Sequence, residues 1–428
     1  MTAALSRTAE ALGQQSAAPI FEATVERDGL LVRADVLLRG ADGPRLIEVK
    51  SSTKLKPEYL EDCAIQSWVF EASPARPRSV ALAHINNQFV YQGDGDYKGL
   101  LVEQDITAKI APMRADVPVS LARAKKVLDA VEPEAAIGTR CWTPYDCPFQ
   151  KHCWKETDYP LTGLPAINSQ LNALLADGHY DVRHLPEGLL RNDGQRRVWR
   201  AVRNGRAELL PGAREALSDL AYPRYYLDFE TIRFAVPRWA GTRPYQQIAF
   251  QWSLHIENRD GSLQHKEFLD LTGELPARAV AEALLEAVDR NGPVFMYTAF
   301  ERGCIENLAA FCPDLRTELM ALADRLIDLH PIVKDHYYHP DMHGSWSIKA
   351  VLPTIAPELD YSKLGEIQEG TAAQQAYVEA ISPDTQKVRR EEIRKSLLEY
   401  CKHDTLAMVT LTRFLANQTP GTPHLTTG

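Results

Sequence analysis

Seven residues, Tyr225-Tyr226-Leu227-Asp228-Phe229-Glu230-Thr231, restrict the possible folds of this chain more than any other stretch. Their alternation is that of a strand, with Leu227 and Phe229 on one face and Asp228 and Glu230 on the other. The apolar face belongs in a core, and the two carboxylates are thereby held side by side. Such a pair is costly unless something cationic sits between the acids.

A second run has the same character. In Leu46-Ile47-Glu48-Val49-Lys50, Glu48 and Lys50 share one face while Ile47 and Val49 pack on the other. Asp35 sits on the preceding strand, across a hairpin. Two acids and a lysine on adjacent strands can hold a divalent cation and position a water for attack on a phosphodiester. Lys50 would then neutralise the added charge. The plainer alternative is an exposed strand with a salt-bridged Glu–Lys pair. The next helix carries Gln66 and Phe70 one turn apart.

Far from Asp228, Tyr400 and Asp404 lie at i and i+4 on one helix face. Between them in sequence, Tyr297–Glu301 ends a strand with an acid at the start of a helix. Asp228, Glu230, Glu301 and Asp404, converging from separated elements, would hold two metal ions ~3.5–4 Å apart. Tyr400 would orient the attacking water, and Asp328 is a reserve ligand. The alternative is four unrelated surface or capping acids. Gly344–Lys349 reads either as a segment whose Ser and Lys meet phosphate or as a plain helix start.

Cys141, Cys147 and Cys153 recur at six-residue intervals among aromatics and prolines. Thiolates at this density suit Zn2+ or an iron–sulfur cluster, against the alternative of buried unligated cysteines. The other four cysteines are scattered. An odd count with no secretory signal in residues 1–18 points to a reduced, cytoplasmic protein.

The 428 residues suggest two or three domains, and no apolar run approaches the ~20 residues of a membrane span. Forty-eight basic and 57 acidic side chains give a net charge of −9. That disfavours a protein that simply coats a polyanion, but not an enzyme whose carboxylates hold metal on nucleic acid. Strand patterns at 19–27, 30–38, 45–51, 79–85 and 88–91, with helices at 57–72 and 118–132, outline an α/β module over residues 1–155, cysteines included. Residues 156–221 read as a helical connector whose arginines form a solvated face or, less favoured, a phosphate-contacting one. Strands at 224–231, 248–256, 264–271 and 293–300, then helices ending near 391–415, outline a second α/β module over 222–416. Residues 417–428 read as a loose tail.

Asp35, Glu48-Val49-Lys50 and Gln66 together resemble the RecB-like branch of the PD-(D/E)XK nucleases, with Phe70 where that branch often has tyrosine. Glu22 stands where many relatives carry a further acid. Some members clamp this module with an iron–sulfur cluster. Cys141, Cys147 and Cys153 match its three downstream cysteines, and residues 1–34 hold no counterpart of the upstream one. Asp228, Glu230, Glu301, Tyr400 and Asp404 resemble the tyrosine-bearing subclass of DnaQ-like (DEDD) 3′–5′ exonucleases, with Glu301 where Asp is usual and Thr298 where Asn is usual. The whole order resembles a bacterial family of uncharacterised predicted nucleases.

This resemblance implies a restriction-endonuclease-like domain and a ribonuclease H-like domain. It implies Mg2+ or Mn2+ at Asp35 and Glu48 and at Asp228, Glu230, Glu301 and Asp404, with Lys50, Gln66 and Tyr400 catalytic. The expected partner is DNA or RNA, with no membrane. The competing expectation is a nucleic-acid-binding or scaffold protein whose sites have decayed.

Overall fold

The computed structural model describes residues 2–416 apart from 15, 41, 155, 360 and 364, so the segment expected to be a loose tail lies outside the described residues. The chain divides into two compact units, Met1–Ala136 with Phe234–Gln246, and Ile137–Arg233 with Gln247–Gly428. The cysteine segment and the helical stretch after it thus count with the second unit, and a thirteen-residue excursion following Arg233 counts with the first.

The first unit runs α1 (Thr2–Gly13), β1 (Ile20–Arg27), β2 (Leu30–Gly40), β3 (Gly43–Lys50), α2 (Pro57–Phe70), β4 (Ser79–Ile85), β5 (Leu101–Asp105) and α3 (Thr107–Leu128). Its five strands lie in sequence order. The β1–β2 turn uses Asp28 and Gly29, both at positive φ (54° and 79°), as a two-residue hairpin with the right-handed strand twist requires. All neighbours are antiparallel except β3 and β4, whose parallel pairing needs the crossover that α2 supplies. Ala23, Leu37, Leu46, Val69, Phe70 and Leu82 fill the core between sheet and helices. Phe70, the aromatic of the Gln66 turn, is fully buried there.

Two expectations fail in this unit. Residues 88–91 are loop, and the antiparallel partner of β4 is β5. Gly93, Gly95 and Gly99, all at positive φ, make the intervening stretch a turn-rich loop, held by stacked Tyr91 and Tyr97 rings 4.7 Å apart. The helix expected over 118–132 is Thr107–Leu128, with Pro112 and Pro118 inside it.

The second unit begins with helical pieces: α4 (Gln150–Cys153), α5 (Asn168–Ala176), α6 (Asp193–Asn204), the short strand β6 (Glu208–Leu209) and α7 (Gly212–Ser218). Then come β7 (Arg224–Ile232), β8 (Ile248–Glu257), β9 (Leu263–Leu269), α8 (Ala277–Ala287), β10 (Val294–Met296), α9 (Phe300–Phe311), α10 (Arg316–Ala323), β11 (Leu326–Asp328) and α11 (Leu329–His336). After β12 (Tyr337–Tyr338) follow α12 (Ile348–Val351), α13 (Gly370–Ala380) and the thirty-residue α14 (Lys387–Ala416).

The five-stranded sheet has the order β11-β10-β7-β8-β9. β7, β8 and β9 form an antiparallel meander, and β10 and β11 add in parallel on the other side of β7. Leu227, Phe229, Trp252 and Leu254 pack with α8 and α9 residues such as Val280, Leu284 and Leu308. The opposite face of β7 and β8 receives α14. The expected strand at 293–300 is only Val294–Met296, because Phe300 already opens α9. Among the described residues no helix is long and apolar enough to cross a membrane.

Candidate metal centre

The alternation of β7 delivers what the sequence asks of it. Leu227 and Phe229 are buried in the core, and Asp228 and Glu230 face α14. On α14 the i, i+4 spacing brings Tyr400 and Asp404 over the same sheet face. One ligand oxygen from each of Asp228, Glu230 and Asp404 lies within 4.8 Å of the other two. This is the group of three such ligands among the described residues. The acids, with Tyr297, Glu301, Lys349, Thr371 and Tyr400, line a cleft of about 490 Å³.

Glu301, second residue of α9, is 3% exposed. Its Oε2 is buried without a hydrogen-bond partner. Burial pushes the Asp228, Glu230 and Glu301 carboxyls well above the usual carboxylate range. Neighbouring acids add to the rise: Asp404 at Asp228, and Asp228 at both Glu230 and Glu301. Asp404 is pushed up to about 6 by burial, against the pull of its Tyr361 hydrogen bond, Lys349 and Tyr400. Crowded acids with one orphaned buried oxygen are a donor set suited to a hard divalent cation.

Tyr361 and Cys401 are groups at the site that the sequence did not single out. Tyr361 donates to Asp404 Oδ1 at 2.5 Å and is 8% exposed. Cys401 Sγ lies 3.3 Å from Asp228 Oδ2. Lys349 Nζ donates to Tyr400 Oη (3.1 Å) and to the Gln368 carbonyl (2.7 Å), and sits about 5 Å from both tyrosine ring centres. Of the two readings of Gly344–Lys349, the helix start is realised, with Ser347 as the N-cap residue of α12, and Lys349 on that helix lines the cleft. Asp328 is instead an N-cap: its Oδ1 accepts from the His330 and Thr298 backbone amides. Thr298, at φ 79°, turns the chain into α9.

In the first unit the β2–β3 register, continued one residue past Val36↔Ile47, sets Asp35 opposite Glu48. Asp35 Oδ2 accepts from the Val49 amide at 2.7 Å. Lys50 Nζ bridges Glu48 Oε1 (2.6 Å) and Asp62 Oδ2 (2.7 Å), and Gln66 Nε2 donates to Glu48 Oε2 (2.8 Å). Asp35, Glu48, Lys50 and Gln66 therefore do come together. Asp62, missed in the sequence, is one α2 turn before Gln66, which is the signal that would have found it. Burial raises the Glu48 carboxyl despite its Lys50 and Gln66 bonds. Burial pulls the Lys50 ammonium down, but its bonds to Asp62 and Glu48 outweigh that and leave it raised. Glu22 pairs with Arg33 at 3.1 Å on the exposed surface.

The cysteine triplet is a set of free thiols, Cys141 buried and Cys147 and Cys153 half-buried. Among the described residues, three sulfurs do not meet within 4.8 Å of one another. The residues as placed do not fit a cluster or a zinc ion.

Comparison with known proteins finds little beyond this geometry. Residues 225–347 match a family described as Domain of unknown function (DUF2779). A Mycoplasma pneumoniae protein described as "Uncharacterized protein MG366 homolog" is 26% identical over 212 residues, 45% of this chain. The match covers 32% of that relative's own length. No solved structure matches.

Proposed function

We propose that this chain is a divalent-metal-dependent nuclease that hydrolyses phosphodiester bonds of DNA or RNA at Asp228, Glu230 and Asp404, working from 3′ ends. The observation that carries the reading is the convergence of those three carboxylate oxygens within 4.8 Å at the wall of an open cleft. The mixed sheet, an antiparallel meander extended by parallel strands beside β7, supports the ribonuclease H-like reading of the second unit. Oxygen donors alone suit Mg2+ or Mn2+. A cation held there supplies water activation and neutralises charge on the phosphodiester.

The chain's own groups then have distinct tasks. Asp228, Glu230 and Asp404 would hold the cation, and Glu301 would bond to Asp228 or join it. Tyr400 Oη, fixed by Lys349, would orient water, and the Lys349 ammonium at the cleft wall would meet a backbone phosphate. Tyr361 would keep one oxygen of Asp404 occupied so that the other faces the cation.

Asp35, Glu48, Lys50 and Gln66 form a second nuclease-like site within this proposal, supported by their contacts and by the α1-β1-β2-β3-α2-β4 order. The rival reading, a nucleic-acid-binding protein with decayed sites, predicts binding without hydrolysis. The test is degradation of 5′-labelled single-stranded DNA and RNA with Mn2+ by wild type, Asp404→Asn and Lys50→Met. A 3′-to-5′ ladder lost in Asp404→Asn and kept in Lys50→Met supports the proposal. Loss only in Lys50→Met moves the chemistry to the first unit, and binding without cleavage by wild type favours the rival.

A further inference from the structure

The face of β8 under α14 is polar along its length. Gln251, Ser253, His255 and Glu257 alternate along the strand, and each is at most 4% exposed. The register sets them beside Glu230, Asp228, Tyr226 and Arg224 of β7. Four successive inward polar positions are costly in a core unless every one is satisfied.

Each of the four has a bond to α14, and of their side-chain polar atoms Gln251 Oε1 is buried without a partner. Gln251 Nε2 donates to the Leu397 carbonyl at 2.8 Å. Ser253 Oγ and His255 Nδ1 meet Thr405 Oγ1 at 2.9 and 2.7 Å. Glu257 Oε1 accepts from Arg413 Nε at 2.6 Å, and its Oε2 from Tyr226 Oη at 2.8 Å. Aliphatic residues would bury the same area at less cost, so burial alone does not account for this seam. Direction does: apolar contacts tolerate a sliding helix, whereas hydrogen bonds hold only over a narrow range of distance and angle. A one-residue slip moves a helix ~1.5 Å along its axis and turns it about 100°. That would break every bond of the seam and swing Asp404 away from Asp228 and Glu230.

We propose that this polar seam, with Thr405 as its hub, holds α14 in the register at which Asp404 completes the cation site. The inference rests on the metal reading above and adds to it the device that sets the geometry. Thr405 precedes no ligand and touches no acid of the cluster; it follows Asp404 by one residue and acts through it. It is a positioning residue.

The test is calorimetric titration of Mn2+ into the full chain, with a thermal melt of each variant: wild type, Thr405→Val, Thr405→Ser, Leu411→Ala and Asp404→Asn. Leu411 is fully buried on the same helix and outside the seam, so its truncation lowers stability without touching the seam's bonds. Thr405→Val should weaken Mn2+ binding by about tenfold, the lower end of what loss of an outer partner costs a metal site. Thr405→Ser, which keeps the hydroxyl, and Leu411→Ala should bind as wild type does. Wild-type affinity in Thr405→Val overturns the inference, and so does an equal loss in Leu411→Ala, which would mean general loosening. Unchanged binding in Asp404→Asn overturns the metal reading instead. Should Thr405→Val fail to fold, Ser253→Ala takes its place with the same expected and overturning results.

Discussion

The two acidic constellations solve the same electrostatic problem in different ways. In the first unit the buried Glu48 has a built-in counter-ion, since Lys50 lies 2.6 Å away and is itself shared with Asp62. In the second unit Asp228, Glu230, Glu301 and Asp404 crowd together, and their one neighbouring ammonium among the contacts described, Lys349, bonds to Tyr400 and a carbonyl instead of to an acid. Like charges at low dielectric cannot all ionise unaided, so this cluster keeps protons that an external cation would displace. A self-neutralised site holds together without metal. A frustrated one asks for it.

The sharpest break between the two is substitution of an acid or of its counter-ion. Asp404→Asn should abolish Mn2+ binding and lower the hydrolysis rate by more than about 100-fold, the upper end for losing only an outer partner. Without metal the same variant should melt no lower than wild type, because it removes one of several repelling charges. Lys50→Met should do the reverse. It strands Glu48 and Asp62 and should cost about 1–3 kcal/mol by urea unfolding, below the ~3–5 of a fully buried pair because Lys50 and Asp62 are partly exposed. A destabilised Asp404→Asn with a neutral Lys50→Met would erase the contrast.

The second unit also carries a pH signature. Asp404, raised from 3.8 to about 6 by burial, keeps its proton in the metal-free fold across a window where the unfolded chain has lost it. Its contribution to stability is therefore full below pH 3.8 and is lost as pH rises through about 6. The metal-free melting temperature should fall across that window, and Mn2+ should raise it more at pH 7.5 than at pH 5, where protons compete for the carboxylates. A larger Mn2+ effect at pH 5 would contradict this sign. Smaller again is Tyr361→Phe, which frees one oxygen of Asp404. About tenfold weaker Mn2+ binding with little change in melting temperature is expected from calorimetry.

The local parts of both sites were readable in the sequence, and the long-range parts were not. Asp228 and Glu230 declare themselves by strand alternation, and Tyr400 and Asp404 by helix spacing, because both periods are local properties of the backbone. Tyr361 sits on a short turn between helices, where no period marks it, and its partner lies 43 residues away. The same alternation that reveals β8 as a strand leaves unexplained why Gln251, Ser253, His255 and Glu257 all point inward. Their reason lies on α14, more than 140 residues on. Asp328 shows the converse case. An acid near the right place in sequence proves to be occupied in capping a helix, an engagement that only the fold reveals. The cysteine spacing likewise suggests a metal site, but spacing alone does not bring three sulfurs to one point.

The central claim is that the acids of the second unit, and not those of the first, form the principal divalent-cation site. Crystals grown with Mn2+, at a concentration that supports hydrolysis, test it directly through anomalous scattering. The account predicts the strongest anomalous peak among Asp228, Glu230 and Asp404, and its absence from crystals of Asp404→Asn. A strongest peak at Asp35 and Glu48, or none at the second-unit acids, would contradict it.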